Sequence, residues 1–185
     1  MLQTDNPALL VVDVQLAIDH FSPHLRSNPQ AEEHIAALLR YWRAQSRPII
    51  HIRHSSRFPE SPYHADSPYF AFKPEVAPEA GEVVVTKREN CAFIGTELHD
   101  TLTQLAASEL VVTGVVINHS VDATVKVGAA LGYRIYLPED TTATFATPLR
   151  DGTLIEAEQL QEIFLSNLQG EYAQICHSRE LMTQI

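Results

Sequence analysis

The chain has 185 residues, enough for one compact domain with a sizeable core, and nothing in it divides into two. Thirteen basic against twenty-three acidic residues give a formal net charge of −10, which opposes binding to nucleic acid or anionic lipid and favours a small-molecule partner. The start MLQTDNPALLVVDVQ lacks a basic lead and meets Asp13 early, so it reads as neither signal peptide nor membrane span; with only two distant cysteines, Cys91 and Cys176, a reducing, cytoplasmic setting is expected.

Along the chain, short β-branched runs alternate with longer segments of helical period. The pattern predicts an α/β fold: a single-domain, Rossmann-like three-layer sandwich over residues 1–185 with a six-stranded, mainly parallel sheet. ALLVVDV (8–14) is the first strand, and PIIHIRH (48–54) the second. Between them, AEEHIAALLRYWRAQ (31–45) places Ile35, Leu38, Leu39 and Trp42 at three- and four-residue steps, the apolar stripe of a crossover helix. Residues 55–80 hold five of the eleven prolines and several aromatics, which excludes a regular helix or central strand and indicates a long, functional loop. EVVVTK (82–87) is the third strand, and GTELHDTLTQLAA (95–107) a helix with Thr96 as its N-cap. ELVVTGVV (109–116) is the fourth strand, residues 120–131 a helix closed by Gly132, and RIYLPEDT (134–141) the fifth. TLIEAEQLQEIFLSNLQG (153–170) is the last long helix, followed by a sixth strand in YAQICHS.

Open parallel sheets bind ligands at the carboxyl ends of their strands. Asp13, Lys87 and Ser120 all lie at or just beyond such ends. If their strands are neighbours, a carboxylate, an ammonium and a hydroxyl meet in one crevice, a set that can move a proton, hold negative charge and attack. The same residues also fit a buried ion pair beside a helix N-cap, and spacing alone leaves both readings open.

LLVVDVQ, KPEVAPEAGEVVVTKRENCAFIGTELHDTL and VVTGVVINHSVDATVKVGAALGYRIYLPEDTTATF resemble, in order, three signature segments of the isochorismatase-like hydrolases, which include nicotinamidases and N-carbamoylsarcosine amidohydrolases. The resemblance implies hydrolysis of a C–N bond in a small amide, ureide or imide by an Asp, Lys and Cys triad. Asp13 falls at the base, Lys87 at the cation and Ser120 at the cysteine. It also implies a cis peptide at Val115–Val116 and an oxyanion hole built from the backbone amides of Val116 and Ser120.

Serine at that position changes the chemistry. A thiol of reference pKa about 8.5 is readily moved toward thiolate near neutral pH, whereas an alcohol is a far weaker acid and a carboxylate a poor base for it. His119 is adjacent, but neighbouring side chains at a helix start diverge, so it is placed among the substrate-binding residues and not as the base. Three accounts of Ser120 stay open: a designed replacement of cysteine, a natural serine in a slow or altered hydrolase, and a fold that has kept binding without catalysis. True isochorismatases illustrate the second, since they cleave a vinyl ether by proton transfer from the aspartate without a cysteine.

Gln15, just after Asp13, is a candidate pocket residue or a loop-stabilising amide, and Phe93 an apolar pocket wall or a loop anchor. Cys91 and Cys176 read as packing residues. His51, His54 and His64 suggest a metal at first sight, but the chain lacks the aspartate of the nicotinamidase metal motif. No metal or other cofactor is therefore expected. The resemblance implies a homo-oligomer, a dimer or tetramer, with Tyr63, Tyr69, Phe70 and Phe72 as lid or interface aromatics.

Overall fold

β1 (Ala8–Val12) is enclosed on both faces: Leu9 and Val11 pack to one side, Ala8, Leu10 and Val12 to the other. A strand without polar alternation belongs inside a sheet that is covered twice, and the computed structural model, which describes residues 2–21 and 25–183, places it there. β1 lies between β2 (Ile49–His54) and β4 (Glu109–Val115). β3 (Val83–Lys87) flanks β2, while β5 (Arg134–Pro138) and then β9 (Gln174–Cys176) extend the other side. These six strands, in the order β3-β2-β1-β4-β5-β9, are all parallel. A short seventh, β6 (Thr142–Ala143), pairs with the end of β4, so the sheet has one strand more than the six expected. Two residues are too few to show a period in sequence. The same holds for the hairpin of β7 (Thr147–Pro148) and β8 (Leu154–Ile155) that follows.

Helices cover both faces. α1 (Ala31–Ala44) buries Ile35, Leu38, Leu39 and Trp42 against the Leu9 and Val11 side, together with Leu181 of α5 (Ser178–Met182). The Trp42 indole donates to the Pro7 carbonyl at 2.9 Å, which satisfies its one polar atom. α2 (Leu98–Gln104), α3 (Asp122–Ala130) and α4 (Ala157–Leu168) pack on the opposite face through Leu98, Leu102, Val125, Leu165 and Leu168. α2 starts later than its sequence pattern indicates, with Glu97 at its cap; Thr96 instead donates to the Ala92 carbonyl and accepts from the Leu98 amide at 3.3 Å. Residues 55–80 form turns, with one short 3-10 segment at Pro74–Val76. No helix among the described residues is long and apolar enough to cross a membrane.

The chain runs β1, β2, β3 in one direction across the sheet and β4, β5, β9 in the other. The strand order therefore reverses between β1 and β4, and a crevice opens there at the carboxyl ends of the strands.

Candidate active site

Each element around that crevice delivers one polar side chain. β1 ends at Asp13, whose φ of 56 lies in the left-handed region that aspartate tolerates better than most residues. β3 ends at Lys87, level with His54 of β2. After β4 the Val115–Val116 peptide is cis, at the bond that the resemblance indicates. A single π turn, Ile117–Val121, then leads into α3 and carries Ser120. The helix expected from residue 120 thus begins as a wider turn at 117, a distortion that often marks functional sites.

The three side chains meet. Lys87 Nζ donates to Asp13 Oδ2 at 2.6 Å, to Ser120 Oγ at 3.1 Å and to the Glu89 carbonyl at 3.2 Å. Lys87 is 1% exposed, Asp13 4% and Ser120 6%, so the charges are removed from water and compensate each other. With one carboxylate oxygen bound to lysine, Asp13 Oδ1 is buried with no protein partner.

Asp13 and Ser120 line a cavity of about 360 Å³ with Val115, Val116, Asn118 and His119. Its apolar walls are completed by Ile18, Phe21, Tyr63 and Phe145, and its polar ones by His54, Asn90 and Thr144. Thr144 donates to Asn118 Oδ1, fixing the amide two residues before Ser120. Burial, reinforced by the Lys87 charge, lowers the pKa of the His54 imidazole below its ordinary value. Burial, with Asp13 nearby, holds the Tyr63 hydroxyl well above its ordinary range. A larger concavity of about 730 Å³ lies among Thr4, Arg47, Gln174 and Glu180, but none of the three converging residues touches it.

Two residues expected at the pocket lie elsewhere. Gln15 is fully buried, with Nε2 donating to the Phe70 and His54 carbonyls at 2.9 and 3.2 Å and Oε1 accepting from the His54 amide at 2.8 Å. It ties the β1 turn to the proline-rich loop and is absent from the cavity wall. Phe93 packs in the core beside Gly128 and stacks on Tyr133 at 5.8 Å. His119 is exposed and does line the cavity. Cys91 is buried in the core, while Cys176 is half-buried with its thiol pKa pushed up by burial to about 12.

The histidines of β2 separate. His51, three residues from His54, faces the opposite side of the strand, where its Nε2 is 2.8 Å from Glu82 Oε2. His64 lies in the loop, 3.7 Å from Asp66. No group of three potential metal-ligating side chains occurs among the described residues. Sequence reasoning passed over His54, Asn90 and Asn118 as wall residues. His54 and Asn118 had a usable signal, since each sits at or near the carboxyl end of a strand that borders the crevice.

An isochorismatase domain model matches residues 7–169. The chain belongs to the isochorismatase family. Its members include YrdC of Bacillus subtilis (strain 168), 35% identical over 178 residues that make up 96% of this chain and 95% of YrdC. A streptothricin hydrolase of Streptomyces noursei is 33% identical over 78% of this chain and 57% of its own length. Among solved structures, an isochorismatase-family hydrolase from Chromobacterium violaceum ATCC 12472 superposes with a TM-score of 0.93 at 43% identity, covering 98% of this chain and 94% of that one. The parallel sheet flanked by helices is the fold that this family neighbour shares.

Proposed function

We propose that this isochorismatase-family chain hydrolyses a C–N bond in a small amide, ureide or imide held in the cavity above Ser120. The observation that carries this reading is the buried Lys87 ammonium bound at once to Asp13 Oδ2 and Ser120 Oγ. Asp13 accepts the Ser120 proton as Oγ bonds to the carbonyl carbon, and the backbone amides of Val116 and Ser120 receive the developing oxyanion. The proton passes to the leaving nitrogen as the C–N bond breaks. Water then gives a proton to Asp13 and attacks the acyl-serine, releasing the acid and restoring the hydroxyl. Lys87 holds the Asp13 carboxylate in place through Oδ2 while it awaits a proton.

Serine makes the first step slow, because an alcohol loses its proton far less readily than a thiol. Ser120→Cys therefore accelerates amide turnover, Ser120→Ala abolishes it, and Asp13→Asn abolishes it in either background. Release of ammonia or amine from a panel of small amides and ureides measures this. No gain from Ser120→Cys on any member overturns the reading.

A second reading draws on Asp13 Oδ1, which is enclosed with no protein partner beside a hydroxyl that already accepts from Lys87. Asp13 gives a proton to the vinyl carbon, water adds to the oxocarbenium carbon so formed and returns a proton to Asp13, and the hemiketal C–O bond then breaks to give ketone and alcohol, with Ser120 a bystander. Turnover of isochorismate that survives Ser120→Ala and is lost in Asp13→Asn supports that route. Ligand retention without turnover by any of these forms leaves a binding protein.

A further inference from the structure

The turn that presents Ser120 has a weak hold on itself. At its start the amides of His119 and Val121 reach the Val116 carbonyl only at 3.2 and 3.4 Å, longer than an ordinary backbone bond. A π turn is also the least common helical turn, so support from outside decides whether it keeps its shape.

The segment Thr142–Thr144 gives that support on both sides of Val116. β6 pairs with Gly114 and Val115 ahead of it, and Thr144 Oγ1 donates to Asn118 Oδ1 beyond it. Thr144 is itself pinned: its amide donates to Ser27 Oγ at 2.9 Å, and its carbonyl accepts from the Ser27 amide at 3.0 Å. Ser27 Oγ in turn donates to Gln161 Oε1 of α4, while Gln161 Nε2 donates to the Glu139 and Thr142 carbonyls at 3.1 and 3.3 Å. Thr144, Ser27 and Gln161 are all buried, so water does not compete for these bonds. A chain of hydrogen bonds therefore runs from α4 to the residue two places before Ser120.

We propose that Thr144 is a positioning residue for the nucleophile: through Asn118 it holds the Ile117–Val121 turn so that the side chain at position 120 stays against Lys87 Nζ, 3.1 Å from Ser120 Oγ. It acts through the turn and not on the reacting atoms. The inference deepens the hydrolase reading and takes from it only that position 120 carries the attacking atom.

The full chain carrying Ser120→Cys tests it, because a thiol reports its own surroundings. Beside an ammonium, its pKa falls below the ordinary value of about 8.5. Alkylation by iodoacetamide across a pH series, followed by mass spectrometry so that Cys91 and Cys176 are counted apart, should show that lowered midpoint at position 120. Adding Thr144→Val, which keeps the shape and removes the hydroxyl, should lift the midpoint toward 8.5 and slow alkylation at pH 7 by about tenfold. Thr144→Ser, which keeps the hydroxyl, should bring the midpoint back down. On an amide that Ser120→Cys turns over, Thr144→Val should lower kcat by about tenfold while KM changes by less than about twofold.

A midpoint that Thr144→Val leaves in place overturns the inference, as does one that Thr144→Ser fails to bring down. A midpoint already at or above 8.5 with Ser120→Cys alone also overturns it, since the thiol is then not held against Lys87. If Thr144→Val fails to fold, Asn118→Leu removes the same bond from the other side, and an unmoved midpoint there counts equally against it. The two readings fail separately. A midpoint that moves as described in a chain that cleaves no amide would sink the hydrolase reading and leave the positioning role standing. Amide turnover by Ser120→Cys, with midpoint and kcat both indifferent to Thr144→Val, would do the reverse.

Discussion

Lys87 Nζ and Asp13 Oδ2 are 2.6 Å apart with both side chains almost fully enclosed. Removing one member of such a pair strands the other in a low-dielectric site, which costs more than the pair itself contributes. Lys87→Met should therefore lower unfolding stability by about 3–5 kcal/mol. Adding Asp13→Asn to that variant should restore most of the loss, because the uncompensated charge is gone. Urea denaturation of the two single variants and the double one checks this, and additive losses would contradict it.

Gln15 uses its whole amide on the backbone of two segments, accepting from the His54 amide and donating to the carbonyls of His54 and Phe70. Leucine has a similar size but leaves these groups unsatisfied, at about 1–3 kcal/mol for each buried one. Since Gln15 tethers the proline-rich loop, Gln15→Leu should also free that segment locally. Faster proteolytic cleavage within residues 55–80, with the sheet still protected, is the expected result.

The sheet was legible because its strands are apolar on both faces, so β1, β2, β4 and β5 stand out as β-branched runs between turn residues, and α1 shows its stripe through Ile35, Leu38, Leu39 and Trp42. Their parallel order follows from the alternation with helices. Asp13, Lys87 and Ser120 were findable by one rule, that ligands gather at strand carboxyl ends. Gln15 was not placed, since an amide one turn from the aspartate serves the pocket or the loop equally well until the partners His54 and Phe70 are known. Phe93 failed for the same reason: its ring meets Tyr133 and Gly128, contacts set by tertiary packing. His54 looked like one of a metal trio with His51 and His64. The alternation of the strand sends His51 to Glu82 and His54 to the cavity, and that split was open to a count of residues.

Stability should fall with acid in two stages. Burial holds His51 below its ordinary 6.5 despite Glu82 nearby, so the unfolded chain binds a proton that the native state resists. Its contribution is complete above pH 6.5 and is lost as pH falls below that. Burial opposes the Glu82 charge, but Arg43, the Glu79 amide and His51 hold its carboxyl down to about 2 from 4.5. That contribution is complete above pH 4.5 and is lost as pH falls toward 2. The urea midpoint should decline first below pH 6.5 and again below pH 4.5. His51→Asn should weaken the upper stage, with His54, shifted the same way, supplying what remains. Glu82→Gln should weaken the lower stage, where Glu32 and Glu109, also lowered, still contribute.

Gly114 of β4 lies directly against Val12 of β1, the two strands that frame the crevice. Its φ is +120, and a Cβ built there would stand 2.1 Å from the Val12 carbonyl oxygen and 2.7 Å from the Val12 nitrogen. Neither atom can move without breaking the β1–β4 ladder, where Val12 and Gly114 are partners. Gly132, after α3, has φ +94 but open space around the same construction, so alanine there meets only the left-handed backbone penalty of about 1–2 kcal/mol. Gly114→Ala adds a backbone collision at the centre of the sheet and should lose more than about 4 kcal/mol, the range reserved for a named structural fault. Thermal unfolding of the two variants side by side measures the difference. Should Gly114→Ala survive with the smaller loss, it would still displace Val12 relative to Val115, and with them Asp13 and Ser120, so amide turnover by its Ser120→Cys derivative should fall well below that of Ser120→Cys alone.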